Sequence, residues 1–275
     1  MASRIAGKNI VITGASSGIG EIAAKQLAAR GARVLLLARR ADELERVKKE
    51  IEAEGGECWV HAADLSVEAE VEGAVKAILA AHERVDVLVN NAGRSIRRLV
   101  RESLDRFHDY QRTMQINYFG PVKLTLGLLP KMLEQKQGHI INVSSYSTLI
   151  PVPRFAAYVA SKSALEGFSQ SLAAELVGQD IHVTVINFPL VKTPMTAPTA
   201  AYKYLKQMDV EEAATWIVKA IEKRPARMAT RIGEAWAVAN AALPMLTNQF
   251  TARLFLNRAK RLQKMVEAEK AASSE

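Results

Sequence analysis

The chain of 275 residues predicts an α/β fold built on a doubly wound parallel sheet. Two observations carry this prediction. Short apolar, β-branched runs recur along the chain, and a stretch with helical spacing of apolar residues separates each run from the next. Polar or glycine-containing turns follow the ends of these runs, where the ligands of parallel sheets bind. Together they indicate one sheet with helices on both faces and a site at one edge.

The first predicted strand, residues 9–13, leads through a glycine turn at 13–20 into a helix at 21–30. Glycines let the backbone approach a pyrophosphate closely, and the helix N-terminus offers unpaired amides to its phosphates. This order predicts a dinucleotide site in a Rossmann-type fold, and a plain connecting loop is the alternative. The residues of the turn expected at the cofactor are Gly14, Ser16, Ser17, Gly18, Ile19 and Gly20.

Two arginines, Arg39 and Arg40, follow the second strand at residues 33–38. An acidic residue here would accept from the ribose 2′-hydroxyl, whereas a guanidinium pairs with a 2′-phosphate. The arginines therefore favour NADP(H), with Arg39 the better placed and Ser16 as a helper. A solvated pair that caps the next helix is the alternative.

The alternation continues along the chain with four more strands and four more helices. We predict strands at 58–62, 85–89, 140–145 and 182–187, and helices at 42–54, 67–82, from 156 onward and at 209–223. Asp64 and Leu65 follow the third strand, and Asn90 ends the fourth. Because the carboxyl ends of parallel strands meet at one edge, we expect these three residues at the cofactor as well.

Two polar features lie between the fourth and fifth strands. Residues 94–101 carry four arginines, which could bind phosphates or form a solvated helix start paired with Glu102 and Asp105. Asn117 lies inside a long predicted helix that reaches about residue 135, where asparagine is not favoured. It is expected either to distort the helix or to take part in a site.

Tyr158 and Lys162 are four residues apart on the helix that begins near residue 156, so their side chains share one face. A cation about 4 Å from the phenol stabilises the phenolate and lowers the tyrosine pKa, and desolvation opposes this. Tyr158 is thereby expected to act as a general acid or base. Ser144 and Ser145 end the strand before this helix.

Taken together, these motifs resemble those of the short-chain dehydrogenase/reductase family, over roughly residues 5–230. The resemblance is carried by Thr13-x-x-x-Gly18-x-Gly20, Asn90-Asn91-Ala92-Gly93, Asn117, Ser145, Tyr158-x-x-x-Lys162 and Pro189 with Thr193. The family's usual Pro-Gly after the sixth strand is Pro189-Leu190 here. That departure falls on the nicotinamide side of the expected pocket.

The resemblance implies roles for individual residues. Ser145, preferred over Ser144 for its spacing, would hold the substrate carbonyl, and Tyr158 would protonate it. Lys162 would lower the pKa of Tyr158 and hold the nicotinamide ribose, while Asn117 would anchor a water relay to Lys162. Tyr158, Lys162, Pro189 and Thr193 are implied as cofactor contacts.

A narrower likeness concerns the substrate. Residues 90–98, 105–109, 117–120 and 189–195 resemble the bacterial branch of this family with long-chain fatty acyl-CoA reductases, which also holds reductases of long β-keto lipids. It implies NADPH-dependent reduction of a long-chain lipid carbonyl, and the leading hypothesis is reduction of fatty acyl-CoA to fatty aldehyde. A ketone or aldehyde reductase is the alternative, and a non-catalytic NADP(H)-binding regulatory protein is a remote one. The family implies a homodimer or homotetramer, and a surface-bound monomer stays open.

Composition sets further expectations. The single cysteine, Cys58, argues against a disulfide framework and a cysteine-based metal cluster, and we expect no metal. The start of the chain has no signal-peptide pattern, and no run of apolar residues is long enough to span a membrane. We therefore expect a cytoplasmic protein. The net charge of +8 comes with no recognised nucleic-acid motif, so we expect no nucleic-acid partner.

The segment after residue 233 goes beyond a minimal reductase. We predict a family domain at 1–233 and a helical extension at 234–275. Residues 235–252 carry no charge, and residues 219–275 hold eleven Lys or Arg against five Asp or Glu, a net of +6. An apolar stripe with a basic flank suits a helix lying in a membrane interface, a flap over an acyl chain or a subunit contact. A solvated tail after Lys260 with no functional role is the alternative.

Overall fold

A computed structural model of the chain describes residues 4–150 and 152–272, the side chains of 258–260 and 262–272 excepted. Within these residues seven parallel strands form one sheet in the order β3-β2-β1-β4-β5-β6-β7. The strands are β1 (Asn9–Thr13), β2 (Arg33–Ala38), β3 (Glu57–Ala62), β4 (Val87–Asn90), β5 (Gly138–Ser145), β6 (Ile181–Phe188) and β7 (Arg227–Met228). The doubly wound parallel sheet is confirmed. The two-residue β7 was not predicted, because so short a run has no period to read.

Nine helices of the described residues surround or extend this sheet. They are α1 (Gly18–Ala28), α2 (Ala41–Ala53), α3 (Glu68–Ala81), α4 (Phe107–Met114), α5 (Gly120–Glu134), α6 (Ala156–Glu175), α7 (Val210–Lys223), α8 (Arg231–Ala242) and α9 (Pro244–Ala272). The long helix predicted through Asn117 is in fact two helices. A π-helical turn, Gln115–Phe119, joins α4 to α5. Asn117 lies inside this turn, so the structure has the first of its two alternatives, a distorted helix, and its role in a site stays a prediction.

Two apolar layers pack on opposite faces of the sheet. Ile10 and Ile12 of β1 face a layer made by α1, α2 and α7, whereas Val11 between them faces a layer made by α3, α5 and α6. All three β1 side chains are fully buried. Burying a side chain of this size on folding is worth about 1.5–3 kcal/mol, so the central strands are the most strongly held part of the fold.

The strand order reverses between β1 and β4. The chain moves from β1 outward through β2 and β3, then returns to the other side of β1 as β4. A crevice opens at such a switch point beyond the carboxyl ends of the strands. The glycine turn after β1 and the loop after β4 meet there, because the Thr13 hydroxyl accepts from the backbone amides of Asn91 and Ala92 at 2.9 Å each.

Helices α8 and α9 lie outside the two layers, and the predicted boundary after residue 233 falls inside α8. Trp236 of α8 and Phe250 of α9 stack with ring centroids 5.7 Å apart. α8 begins against the core, since an added Cβ at Gly233 would lie 2.7 Å from the ring of Tyr146. The extension is therefore seated beside the strand end that carries Ser145. Among the described helices, none is both long and apolar enough to cross a membrane.

Candidate active site

A cavity of about 1500 Å³ opens at the carboxyl edge of the sheet. Most of the residues singled out from the sequence line it. They are Gly14, Ser16, Ser17, Gly18, Ile19, Arg39, Asp64, Leu65, Ser145, Tyr158, Lys162, Pro189 and Thr193. Gly20, Asn90 and Asn117 do not line it. The volume exceeds the 300–1,000 Å³ of an ordinary ligand pocket, so it has room for a dinucleotide and a second ligand.

The glycine turn forms one end of this cavity and leaves no space for side chains. Gly14 and Gly18 adopt φ values of +66° and +59°, a region that favours glycine. A Cβ at Gly14 would lie 2.9 Å from the Cα of Ala92, and one at Gly20 would lie 2.5 Å from the Gly14 carbonyl oxygen. Gly20 thus serves the packing of α1 against the turn rather than the cavity wall.

The N-terminus of α1 points its free donors at the cavity. Ser17 caps the helix with extended backbone, and its side chain makes no capping hydrogen bond. Ser17, Gly18 and Ile19 all line the cavity. Unsatisfied amides at a helix N-terminus bind phosphate well, so this end fits the pyrophosphate of a dinucleotide.

The two arginines after β2 have different partners. Arg39 is mostly exposed and pairs with Asp64 at 3.4 Å, whereas Arg40 donates to the carbonyl and hydroxyl of Ser16 at 3.3 Å each. Burial acts to raise the pKa of Asp64, but hydrogen bonds from Ser66 and the charge of Arg39 bring it below its usual value. Arg39 therefore keeps a mostly exposed guanidinium with one long ion pair to Asp64, whereas Arg40 contacts Ser16, the residue expected to assist Arg39.

Asn90 lies beneath the cavity rather than in its wall. It is 1% exposed, and its amide donates to Asn142 at 2.8 Å and to Thr125 at 3.1 Å. The residues that follow it, Asn91 and Ala92, line the cavity instead. The placement differs from the expected cofactor contact because the side chain of a central strand end points into the polar core between β4 and β5.

Asn117 holds three segments of the site together. Its side-chain oxygen accepts from the Arg94 amide at 2.8 Å, and its amide donates to the Arg94 carbonyl and the Ser161 hydroxyl at 2.9 Å each. Ser161 in turn donates to the carbonyl of Tyr158 at 2.7 Å. An added Cβ at Gly93 would be 3.1 Å from Asn117 and 3.4 Å from the ammonium of Lys162. The π-helical turn thus places Asn117 behind Lys162.

Tyr158 and Lys162 share one face of α6 at the cavity. The Lys162 ammonium donates to the Val143 carbonyl at 2.7 Å, and desolvation lowers its pKa to about 8. Desolvation raises the pKa of Tyr158, and a hydrogen bond with Ser145 acts in the opposite direction. The net effect is a pKa of Tyr158 above its usual value, so the lowering expected from Lys162 is not observed.

The two serines at the end of β5 point to different environments. The Ser144 hydroxyl donates to Glu166 at 2.5 Å, whereas Ser145 interacts with Tyr158. Ser145 also accepts from the hydroxyl of Ser147 at 2.9 Å. Ser145 is therefore the serine next to the phenol of Tyr158, and its role toward a substrate carbonyl stays a prediction.

Glu166 is a buried residue that sequence reasoning missed. Its carboxylate accepts from Ser144 and Thr148 at 2.5 Å, from Asn187 at 2.7 Å and from Arg227 at 3.2 Å. It ties α6 to the ends of β5 and β6 and acts on Lys162 to raise its pKa. A signal did exist, since residue 166 is one helical turn beyond Lys162 on the same face.

The other end of the cavity has an apolar wall, built from scattered segments, beside Arg97 and Arg154. Its wall includes Ile116, Tyr146, Val152, Phe155, Leu190, Met195, Tyr202, Leu205, Phe255 and Leu256. Phe255 and Leu256 belong to α9, so the C-terminal extension closes part of the wall. These residues come from four regions far apart in the chain, so no single sequence motif could predict this wall.

A family model described as short chain dehydrogenase matches residues 8–203, well over half of the chain. The chain belongs to this family. A fatty acyl-CoA reductase of Acinetobacter baylyi is 51% identical over 244 residues, covering 89% of this chain and 83% of that protein. A fatty acyl-CoA reductase of Mycobacterium tuberculosis is 42% identical over 250 residues, covering 90% and 85%. The resemblance to this branch of the short-chain dehydrogenases is confirmed.

Solved structures of short-chain dehydrogenases share the fold. A metagenomic short-chain oxidoreductase in complex with NADP is 33% identical with a TM-score of 0.71, covering 83% of this chain and 98% of that one. A Streptomyces avermitilis short-chain dehydrogenase is 28% identical with a TM-score of 0.76, covering 93% and 99%. This short-chain dehydrogenase is therefore an oxidoreductase of Rossmann-like fold, and its glycine turn, open helix N-terminus and strand-end cavity fit a nicotinamide dinucleotide.

Proposed function

We propose that this short-chain dehydrogenase reduces long-chain fatty acyl-CoA to fatty aldehyde with NADPH. One observation carries the proposal: a single cavity joins the glycine turn and Arg39 at one end to an apolar wall at the other, with Tyr158 and Lys162 between them. The similarity to proteins named fatty acyl-CoA reductase supports the same substrate class.

The cofactor contacts follow from the lining of the cavity. We assign the pyrophosphate to the turn and α1 N-terminus, the residues Gly14, Ser16, Ser17, Gly18 and Ile19, with Gly20 holding the helix close. Arg39 binds the 2′-phosphate, and its mostly exposed guanidinium supports NADPH over NADH, while Arg40 holds Ser16 at 3.3 Å. Asp64 and Leu65 flank the adenosine half. Pro189 and Thr193 face the nicotinamide half, and Asn90 supports the loop from beneath.

The chain's own residues then bind and protonate the carbonyl. Ser145 donates a hydrogen bond to the substrate oxygen, and Tyr158 transfers its proton to that oxygen. NADPH, when bound, would supply the hydride to the carbonyl carbon. Burial raises the pKa of Tyr158, which keeps the phenol protonated at neutral pH but makes it a weaker acid, so the charge of Lys162 has to favour release of the proton. Lys162 stabilises the phenolate that remains and holds the nicotinamide ribose, and Asn117 orders the proton path behind it.

With a thioester substrate, this step gives a hemithioacetal. Its C–S bond then breaks, the thiol leaves as free CoA with a proton, and the carbonyl of the fatty aldehyde forms. The apolar wall would hold the acyl chain, because burying it there is worth about 0.8 kcal/mol per methylene. Phe255 and Leu256 of α9 supply part of that surface.

We assign the C-terminal helices a second role, contact with an anionic lipid surface. Their outer face exposes Val238, Met245, Leu246 and Phe250 by 56–74%. Arg253 and Arg261 are exposed on the same helix, and the sequence around them is basic. An apolar face beside cations is typical of helices lying in a membrane interface, where a long-chain substrate or aldehyde partitions.

We also infer that the protein is a homo-oligomer, either a dimer or a tetramer. The π-helical turn and α5 expose Phe119 by 51%, Leu126 by 55% and Leu133 by 40%. Apolar side chains grouped on one such face support a subunit contact. Light scattering of the purified protein measures the assembly directly.

Thiol release tests the function. Purified protein with NADPH should oxidise the cofactor and free one thiol per thioester when given palmitoyl-CoA. Reduction of a ketone or aldehyde consumes NADPH without freeing a thiol. Activity on long β-keto lipids or aldehydes alone, with no thiol from any acyl-CoA, would replace the proposal by the ketone or aldehyde reductase. No turnover with any of these substrates would contradict both.

A further inference from the structure

Two arginines line the substrate end of the cavity without carboxylate partners. Arg97 follows β4, and Arg154 precedes α6. Among the described residues, neither has a carboxylate within ion-pair distance. Glu102 is the acidic group that acts on Arg97, and its carboxylate is engaged with the Leu99 amide at 3.1 Å. Two unpaired cations that face one cavity repel each other. An anion bound between them would relieve this repulsion.

Arg154 carries further marks of a ligand site. Its φ of 77° is strained for a residue with a side chain, and such strain persists where the surroundings impose it, often at functional sites. Its carbonyl accepts from the Arg98 amide at 2.7 Å, which joins the two loops. Its Nε is buried without a hydrogen-bond partner. A buried unsatisfied donor is costly, and a ligand acceptor would satisfy it.

Neighbouring cations are used differently. Arg98 and Arg106 both pair with Asp109, at 3.4 and 2.9 Å, and hold α4 against the loop. Neither lines the cavity. The cluster at residues 94–101 is therefore divided, with Arg98 structural and Arg97 facing the site.

Tyr202 lines the same cavity and lies within electrostatic range of both Arg97 and Tyr158, which links Arg97 to the reacting group. The cavity as a whole is lined by eight Lys or Arg and two Asp or Glu. Arg39 and Arg40 serve the cofactor end, and Lys162 lies beside Tyr158. Of the other cations in the lining, which are Arg94, Arg97, Arg112, Arg154 and Lys206, only Arg154 has a buried Nε without a partner. The charge of Arg154 acts on Arg97, so these two arginines are the pair best placed to share one anion.

We propose that Arg97 and Arg154 bind a phosphate of the substrate's thioester carrier and so orient the thioester toward Tyr158. This inference rests on the proposed function and names its carrier-binding site. Guanidinium groups match phosphate oxygens in a fork geometry, and a neutral ketone or aldehyde would leave both arginines unpaired. The phosphate comes either from the pantetheine arm or from the nucleotide part of CoA.

The test uses Arg97→Gln and Arg154→Gln, with Arg101→Gln as the matched control. Arg101 is exposed on the same loop and does not line the cavity. Loss of one charged hydrogen-bonding group should raise KM for palmitoyl-CoA about ten- to hundredfold, with kcat changed much less. KM for palmitoyl-pantetheine, which has no phosphate, should stay within about twofold. Arg101→Gln should match wild type on both.

Palmitoyl-phosphopantetheine separates the two sources of the phosphate. An equal KM increase with it and with palmitoyl-CoA assigns the arginines to the pantetheine phosphate. An increase with palmitoyl-CoA alone assigns them to the nucleotide phosphates. Equal increases for phosphate-bearing and phosphate-free thioesters overturn the proposal.

Binding of free CoA, measured by calorimetry with NADP⁺ present, separates this inference from the proposed function. Wild type should bind CoA, and Arg97→Gln should weaken it at least tenfold even if no thioester is ever reduced. Unchanged CoA affinity in Arg97→Gln, with acyl-CoA still reduced by wild type, overturns the inference and leaves the function standing. Should Arg154→Gln fail to fold because of its strained backbone, Arg97→Gln alone decides.

Discussion

The cofactor end and the substrate end of the cavity are built in opposite ways. The cofactor end rests on strand ends whose side chains, such as Ile12 and Val89, are fully buried. The substrate end is closed by loops and by α9, a helix whose outer residues Met245 and Phe250 are 74% and 56% exposed. Few buried contacts hold such a segment, so it opens at lower free energy than the sheet. Under the proposed function, the reaction would therefore take place on the rigid part, and the adaptable part would select the substrate.

Replacing the proton donor at the rigid end should cause the largest loss of activity. Tyr158→Phe removes the phenol hydroxyl and little else, so turnover should fall by about 10²–10⁴. The Kd for NADPH should stay within a few-fold. Cofactor oxidation and fluorescence titration measure the two quantities. A variant with near-wild-type turnover would remove Tyr158 from the mechanism.

Cofactor choice tests whether the dinucleotide end is specific as well as rigid. Arg39→Asp removes a phosphate partner and adds a repelling charge, so the Kd for NADPH should rise about ten- to hundredfold and that for NADH little. Arg33→Asp is the matched control, because Arg33 lies at the opposite end of β2 and pairs with Glu57 at 3.2 Å. Equal loss for both cofactors in Arg39→Asp would contradict the assignment.

Chain-length dependence probes the adaptable end. Phe255 lines the cavity, whereas its neighbour Leu254 is 49% exposed and does not. Phe255→Ala should raise KM for a sixteen-carbon acyl-CoA by about tenfold, since lost apolar contact of this size is worth 1–2 kcal/mol. KM for an eight-carbon acyl-CoA should change less, and Leu254→Ala should behave as wild type. Equal effects of the two variants would separate α9 from the acyl chain.

Lipid contact tests the outer face of the same helix. Met245→Ser combined with Leu246→Ser removes two exposed apolar side chains, and sedimentation with anionic vesicles should show several-fold weaker, salt-sensitive binding. Val177→Ser, at a residue 79% exposed elsewhere on the surface, serves as the control. Equal vesicle binding by the wild type and both variants would show that this face is not the lipid contact.

The smallest expected effect is on stability, at Lys162. Its folded pKa of about 8 lies below that of an unfolded lysine, so burial of the charge costs stability fully below pH 8. The cost fades as pH rises from 8 toward the unfolded value. Lys162→Met should abolish activity yet raise the Tm of the cofactor-free protein by about 5 °C at pH 7.

The gain in Tm should be smaller at pH 10, where the unfolded lysine is itself partly neutral. Lys131→Met, at an exposed ion pair with Glu134 of 2.9 Å, should leave Tm nearly unchanged. Thermal unfolding at the two pH values measures both variants. A lower Tm for Lys162→Met at pH 7 would mean that its bond to Val143 outweighs the cost of burying the charge.

The sequence by itself determined the parallel sheet, the glycine turn and the pairing of Tyr158 with Lys162. The reason is local: strand periodicity, glycine conformation and helical spacing are properties of neighbouring residues. A helix distortion at Asn117 could also be predicted as one of two alternatives, because asparagine is disfavoured in a helix interior. The short strand β7 could not be predicted, since two residues are too few to show a periodic pattern of apolar side chains.

Only the tertiary structure decided which side chains face the cavity. It placed Asn90 in the core between strands and gathered Glu166 with Ser144, Thr148 and Asn187. It also paired Arg98 with Asp109 while Arg97 lines the cavity, and it brought Phe255 to the apolar wall. Burial, desolvation and the pKa of Tyr158 depend on residues distant in the chain. Those contacts exist only after the sheet and helices have packed, so no local pattern contains them.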